Sequence, residues 1–368
     1  MIKLSEVKFD CRHFKGHIPC KPNKEHGVMC NDCGYYEKIK EKILIIKLAA
    51  AGDVIRTTPL LYPLRKQYPN SKIYWLTYFP DLIPVKSIPN ADQVLKYSVQ
   101  SVSYLESSAF DILINLDKDI EAISLAEKIN AKEKYGFILK DGYCFPVNDS
   151  AREKFLTGIF DNVSKVNEKN YMQEIFEICG YRFENEKYVL DIDKDYDRDF
   201  PIDKAKKVVG LNTGCGERWT SRLWKDDHWI DLIRNLKDSG VEVILLGGPS
   251  EHERNSELNR KTGAKYFGIL DIKTFVNLMD KCDVIVSQVT MSMHIAIALN
   301  KKLILMNNIF NPHEFYLYGN GEIIQPEREC KCFFMPVCIN KEYKCMDLLS
   351  PVSVFEACSR QLSRINKK

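Results

Sequence analysis

The feature that most limits the fold is an alternation that runs twice. Apolar runs of strand length alternate with segments of helical periodicity, first from residue 42 and again from residue 208. In the first pass, KILIIKL (42–48), KIYWLTY (72–78), DQVLKY (92–97) and FDILINLD (110–117) read as strands. Residues 54–67 and 119–130 read as helices between and after them, each with one apolar side. In the second pass, VVGLNT (208–213), VEVILLGG (241–248), CDVIVSQ (282–288) and KLILMNN (302–308) read as strands. Helices are expected at 226–240, 251–261, 273–281 and 293–299, with Asp226 or Asp227 capping the first and Gly240 ending it. Strands alternating with helices imply parallel βαβ units, so the fold class is α/β with two doubly wound, Rossmann-like domains. Such domains bind ligands at the carboxyl ends of their strands, which places a central cleft between the two.

The charged stretch DIDKDYDRDFPIDKAKK (191–207) lacks an apolar face and reads as the linker. The expected organisation is a Cys-rich segment over 1–40, an N-terminal domain over 41–195, a C-terminal domain over 205–345 and a C-terminal helix over 346–368. A net charge of +3 in 368 residues gives no strong pull on nucleic acid. No run of about 18 apolar residues marks a membrane span. The N-terminus, MIKLSEVKFD, lacks the apolar stretch of a signal peptide, and a cytoplasmic protein is expected.

Four stretches carry chemistry. In KLAAAGDVIRTTPL (47–60), Gly52 and Asp53 follow a strand where a helix begins, which aims a carboxylate at the cleft; the plain alternative is Asp53 as a helix N-cap. In NTGCGERWTSRLWKDDHW (212–229), Thr213 and Gly214 follow a strand as a phosphate-contacting loop would. Arg218 and Arg222 add permanent charge there, and Trp219 and Trp224 add flat faces. LLGGPSEHERN (245–255) puts Gly248 and Glu251 at a strand-end turn. In SQVTMSMHIAIAL (287–299), Thr290, Met291 and Ser292 start a helix whose free N–H groups suit an anion, with His294 in its first turn. A buried histidine satisfied by a backbone carbonyl is the plainer reading of His294.

The order of these motifs over roughly residues 42 to 320 resembles glycosyltransferase family 9, the heptosyltransferase family of GT-B fold. The resemblance implies an inverting transfer of heptose or a related sugar from a nucleotide-sugar donor, ADP-linked by analogy, to a glycan, lipid-linked or protein acceptor, in lipopolysaccharide or surface-glycan synthesis. It implies that Asp53 is the general base, that Arg222 is the basic residue of the donor loop and that Glu251 holds the ribose. Donor-binding residues are then Thr213, Gly214, Arg218, Arg222, Gly248, Glu251, Thr290, Met291, Ser292 and His294. Gly52, Arg56, Asp117 and Lys118 are expected to face the acceptor. Positive charge and N–H donors would stabilise the departing diphosphate, so catalysis needs no metal cofactor. The family's Asp ahead of the motif histidine falls here on Val289. Peripheral contact with the inner face of a membrane fits such an acceptor. A non-catalytic nucleotide-sugar-binding or metal-cluster scaffold protein of the same fold is the alternative.

Thirteen cysteines are many for a reducing compartment, and eight of them cluster. Cys11, Cys20, Cys30 and Cys33 have spacing C-x8-C-x9-C-x2-C in a segment poor in aliphatic side chains. A structural zinc or iron there is expected, with the four sulfurs sharing one ion. Cys330, Cys332, Cys338 and Cys345 form a second metal set, for which family members with a Cys-ligated iron near the C-terminus are the resemblance. An iron–sulfur cluster suits either set.

Overall fold

The computed structural model describes residues 2–365 apart from 204, 217 and 329. Two six-stranded sheets form two α/β domains. The first contains β1 (Lys42–Ile46), β2 (Lys72–Thr77), β3 (Gln93–Lys96), β4 (Ala109–Asn115), β5 (Asn130–Lys140) and β6 (Tyr143–Pro146), in the order β3-β2-β1-β4-β5-β6. All its pairs are parallel except β5 with β6. The second contains β7 (Val208–Asn212), β8 (Glu242–Leu246), β9 (Lys265–Tyr266), β10 (Val284–Gln288), β11 (Lys302–Met306) and β12 (Gly321–Ile324), in the order β12-β11-β10-β7-β8-β9. Every pair in it is parallel. The strand order reverses between β1 and β4 and again between β7 and β10, and a doubly wound sheet opens a crevice at such a point.

The near-continuous apolar runs follow from this burial: Ile43 to Ile46 are all inaccessible to solvent, covered on both faces. One core cluster joins the domains. It runs from Ile43 and Trp75 through Val54 and Ile55 to Met293, Ile295 and Leu305. The outer faces carry separate clusters, one around Leu44 and Leu113, the other around Trp224, Trp229 and Ile304. The helix Pro351–Ser363 adds Val354, Ala357, Cys358 and Leu362 to the last of these, so the expected C-terminal helix packs on the C-terminal domain. Residues 366–368 lie outside the described residues.

Three local expectations need correction. Residues 54–67 are not one helix: Ala51–Thr57 and Leu61–Gln67 are separated by a tight turn over Thr58–Leu60. Pro59 has no N–H to continue the ladder. The helix Asp226–Asp238 is preceded by Lys225, and no side chain caps it. Asp226 and Asp227 instead stand in its first turn, where the helix dipole favours acids; Gly240 follows its end with φ 81°. Third, residues 130–190 hold β5, β6 and the helices Asp149–Ile159 and Tyr171–Ile178, none of which the pattern announces. β5 reads NAKEKYGFILK and has a half-exposed burial pattern, because it lies toward the sheet edge.

Residues 2–40 form no part of either sheet. The Cys11–Lys38 bridge closes their loop, and Arg12 fastens it to the N-terminal domain. Arg12 Nη2 donates to the Ser71 carbonyl at 2.9 Å, and its guanidinium pairs with Asp92, which Arg65 also holds at 2.6 Å. Among the described residues no helix is long and apolar enough to cross a membrane.

Candidate active site

A cavity of about 530 Å³ lies between the domains, at the carboxyl ends of both sheets. Gly52 and Asp53 come to it from the N-terminal domain; Gly214, Arg222, Gly248, Glu251, Thr290, Met291, Ser292 and His294 come from the other. The helices Ala51–Thr57 and Met291–Ala298 pack against each other across the cleft. Gly52 permits that approach: a Cβ there would stand 2.4 Å from His294 Cδ2.

Asp53 is the third residue of its helix, so it is not the N-cap of the plainer reading. Its Oδ2 accepts from Ala50 N at 3.3 Å, and Arg56 Nη2 lies 2.8 Å from its Oδ1. Arg56 also bonds Glu314 Oε1 at 2.8 Å and stacks 3.4 Å from the Tyr171 ring centre. Burial works to raise the Asp53 carboxyl, but the charges of Arg56 and then Lys47 outweigh it and hold it at about 2. The side chain keeps 32% of its surface exposed and lines the cavity, so an ionised carboxylate is open to a ligand.

Arg222 is the opposite case. It is 6% exposed, and its partners are carbonyls: Nη2 donates to Cys215 O at 2.7 Å and Nη1 to Val289 O. Trp219 and Phe310 flank it, each with its ring centre 5.4 Å from the guanidinium carbon. Among the described residues no carboxylate pairs with it. Burial lowers its pKa to about 10, slightly offset by Cys215, which leaves it cationic at neutral pH. Val289, where the resembled family carries Asp, thus supplies Arg222 with a carbonyl and no negative charge.

Next to Arg222 the helix Met291–Ala298 begins. Thr290 is its N-cap, accepting from Ser292 N at 3.2 Å. Asn212, at the end of β7, holds that start in place: Nδ2 donates to Thr290 Oγ1 at 3.3 Å, and Ser292 Oγ donates to Asn212 Oδ1 at 2.9 Å. Sequence reasoning missed Asn212; its signal was a polar residue at a strand end in the donor loop. Glu251 reaches back to accept from Gly248 N at 2.9 Å, and Gly214 packs directly on its carboxylate. His294 is 5% exposed and pushed down to about 3 by burial and then by Arg56, so it is a neutral wall of the site. The carbonyl bond of its plainer reading is absent: among the described residues His294 Nδ1 has no hydrogen-bond partner.

Five expected site residues do not line the cavity. Thr213 is fully buried, with Oγ1 donating to Asn255 Oδ1 at 2.6 Å. Arg218 is exposed and leans on Trp219 outside the lining. Asp117 is 4% exposed and pairs with Lys47 while accepting from Leu48 N, which ties β4 to the chain after β1. Lys118 turns away to the Lys154 carbonyl at 3.0 Å, and burial lowers its pKa to about 8. Arg56 contacts Asp53 and does not itself line the cavity. The single-ion geometry expected of the cysteines is also not found. Among the described residues no three His, Cys, Asp or Glu side chains converge on one metal position.

The model of glycosyltransferase family 9 (heptosyltransferase) matches residues 101–344. The lipopolysaccharide core heptosyltransferase of Haemophilus influenzae is 22% identical over 303 residues, covering 77% of this chain and 84% of that protein. A solved family 9 glycosyl transferase from Veillonella parvula superposes with TM-score 0.66 at 17% identity, covering 89% of this chain and 99% of that one. The ADP-heptose lipopolysaccharide heptosyltransferase II of E. coli gives 0.64 at 16% identity, covering 88% and 99%. The two-domain architecture is therefore the GT-B fold these structures share.

Proposed function

The chain belongs to glycosyltransferase family 9, the heptosyltransferase family, and on that premise we propose how its residues divide the transfer. It is a glycosyltransferase that draws on a nucleotide-sugar donor. Our reading makes the donor an ADP-linked heptose or a related sugar, in line with the ADP-heptose lipopolysaccharide heptosyltransferase II of E. coli that shares the fold. The acceptor is a glycan, lipid-linked or protein hydroxyl, met in the cytoplasm or at the inner face of a membrane.

The observation that carries this reading is Arg222: a buried cation lining the cavity, with only carbonyl partners among the described residues. A diphosphate supplies the missing negative charge. The N–H groups that open the helix at Met291 add donors beside it. Glu251 accepts from the ribose while its other bond keeps the Gly248 turn. The acceptor hydroxyl enters past Gly52 and attacks the anomeric carbon from the face opposite the diphosphate. The new O–C bond forms as the bond to the phosphate oxygen breaks, the hydroxyl proton passes to Asp53, and the nucleoside diphosphate leaves. Inversion follows from that single displacement, and no metal ion takes part in it.

Among the C-terminal cysteines one pair approaches the spacing of a shared ion, and among the described residues no third ligand joins it. Cys332 Sγ and Cys338 Sγ are 3.6 Å apart, close to the separation of two thiolates on one tetrahedral ion, and Asn308 donates to Cys345 Sγ at 3.2 Å. A thermal-shift panel of ADP-, UDP- and GDP-sugars tests the donor, since a ligand that binds the folded state raises its apparent stability. Stabilisation by ADP-sugars followed by transfer to an acceptor supports the reading. Stabilisation without hydrolysis or transfer favours a non-catalytic binder, to which the loss of the family carboxylate at Val289 would point.

A further inference from the structure

The N-terminal segment contains a site that sugar transfer does not use. Among residues 2–40 the only buried residue is Pro22, and the one α-helix, Lys21–His26, has six residues. A segment with so little buried surface does not offset a backbone ordering cost of about 1–2 kcal/mol per residue. Yet it is folded around an interior. A cavity of about 240 Å³ lies inside it, and Cys11, Cys20, Cys30 and Cys33 all line it. Phe14, Ile18, Val28 and Met29 supply apolar wall.

The four thiols arrive from separate points of the chain. Cys11 sits at the bridge to Lys38, Cys20 immediately precedes the short helix, and Cys30 and Cys33 lie on the turns after it. All four line the one cavity, and among the described residues no three ligating side chains converge on one metal position. A tetrahedral zinc needs four sulfurs at about 2.3 Å from one centre. A body with several metal atoms takes one thiolate at each of several corners. Four half-buried thiols around an apolar-walled cavity match the second demand.

We propose that Cys11, Cys20, Cys30 and Cys33 bind a cubane iron–sulfur cluster, one thiolate to each iron. Four thiols lose their protons to solvent as four Fe–S bonds form; two ferrous ions, two ferric ions and four sulfides supply the core, so no electron is gained or lost in assembly. The cluster acts as a clamp. Cys11 adjoins Arg12, whose contacts with Asp92 and Ser71 fasten the segment to the N-terminal domain. No residue lining this cavity lines the cleft, so the cluster holds the segment and takes no part in the transfer.

The test uses the full chain, prepared without oxygen and reconstituted with equal parts of ferrous and ferric iron and with sulfide. The expected product carries about four irons and four acid-labile sulfides per chain, with broad visible absorption that bleaches on reduction. The Cys30→Ser/Cys33→Ser variant should lose both and become protease-sensitive over residues 1–40, while its thermal shift with ADP stays as in the unaltered chain. That retained shift shows the rest of the protein folded. A Cys332→Ser/Cys338→Ser variant should keep the sulfide and the absorption. Zinc at one per chain without sulfide would overturn the proposal in the unaltered protein, before any variant is made. Full sulfide retained in Cys30→Ser/Cys33→Ser would overturn it as well.

Discussion

Asp53 and Asp117 stand at neighbouring strand ends of one sheet, after β1 and β4, and the fold uses them for opposite purposes. Asp117 is enclosed: Lys47 pairs with it, Leu48 N donates to it, and 4% of it is exposed. Burial works against the Lys47 ammonium, but Asp117 raises its pKa above the ordinary lysine value. Asp53 has a cation on one side and the cleft on the other, with 32% of its side chain open. A carboxylate at a strand end of a doubly wound sheet is therefore not yet a site residue. What decides is whether its partners consume all its oxygen lone pairs or leave some facing the ligand.

The largest effect that would break this contrast is on stability. Asp117→Ala leaves Lys47 buried without its partner, and removing one member of a buried pair costs about 3–5 kcal/mol. Urea unfolding should show that loss, whereas Asp53→Asn should move the midpoint little. Equal destabilisation by both would mean that the two acids do the same structural work. The second effect is on turnover. Asp53→Asn keeps the size of the side chain and removes the proton acceptor, and loss of a general base lowers kcat by about 10²-fold or more. Steady-state transfer assays on folded protein measure it, and near-normal kcat would return Asp53 to a helix-start role.

A smaller effect sharpens the comparison through pH. The Asp53 carboxyl, held at about 2, loses its charge only as pH falls through that value. The free enzyme should therefore show no acid limb from Asp53 in kcat/KM down to about pH 4. In Arg56→Ala the largest of the opposing charges is gone, burial gains weight, and the acid limb should move upward. An unchanged profile in that variant would separate Arg56 from the control of Asp53.

The fold was legible because parallel strands buried on both faces have a simple signature, and the Asp53 and Arg222 motifs sit directly after such strands. What was not legible came from distant partners. Nothing near Asp117 in sequence announces Lys47, 70 residues away. Asn212 orders the start of the donor-site helix from 80 residues upstream of Ser292. Tyr171, which stacks on Arg56, comes from the stretch 130–190 whose partly charged edge elements carry no clear period. The cysteine spacing was visible, but whether the thiols meet at a point or surround a volume depends on loop geometry.

The central claim divides the cleft into a diphosphate wall with Arg222 and a base wall with Asp53. Calorimetric titration of ADP into Arg222→Ala and Asp53→Asn tests it most directly. A charge-assisted contact to phosphate is worth about 1.5–3 kcal/mol. Arg222→Ala should therefore bind ADP at least about tenfold more weakly than the unaltered chain. Asp53→Asn should bind ADP as tightly as before, or slightly more tightly as one negative charge leaves the cleft. Unchanged affinity in Arg222→Ala, or a large loss in Asp53→Asn, would contradict the account.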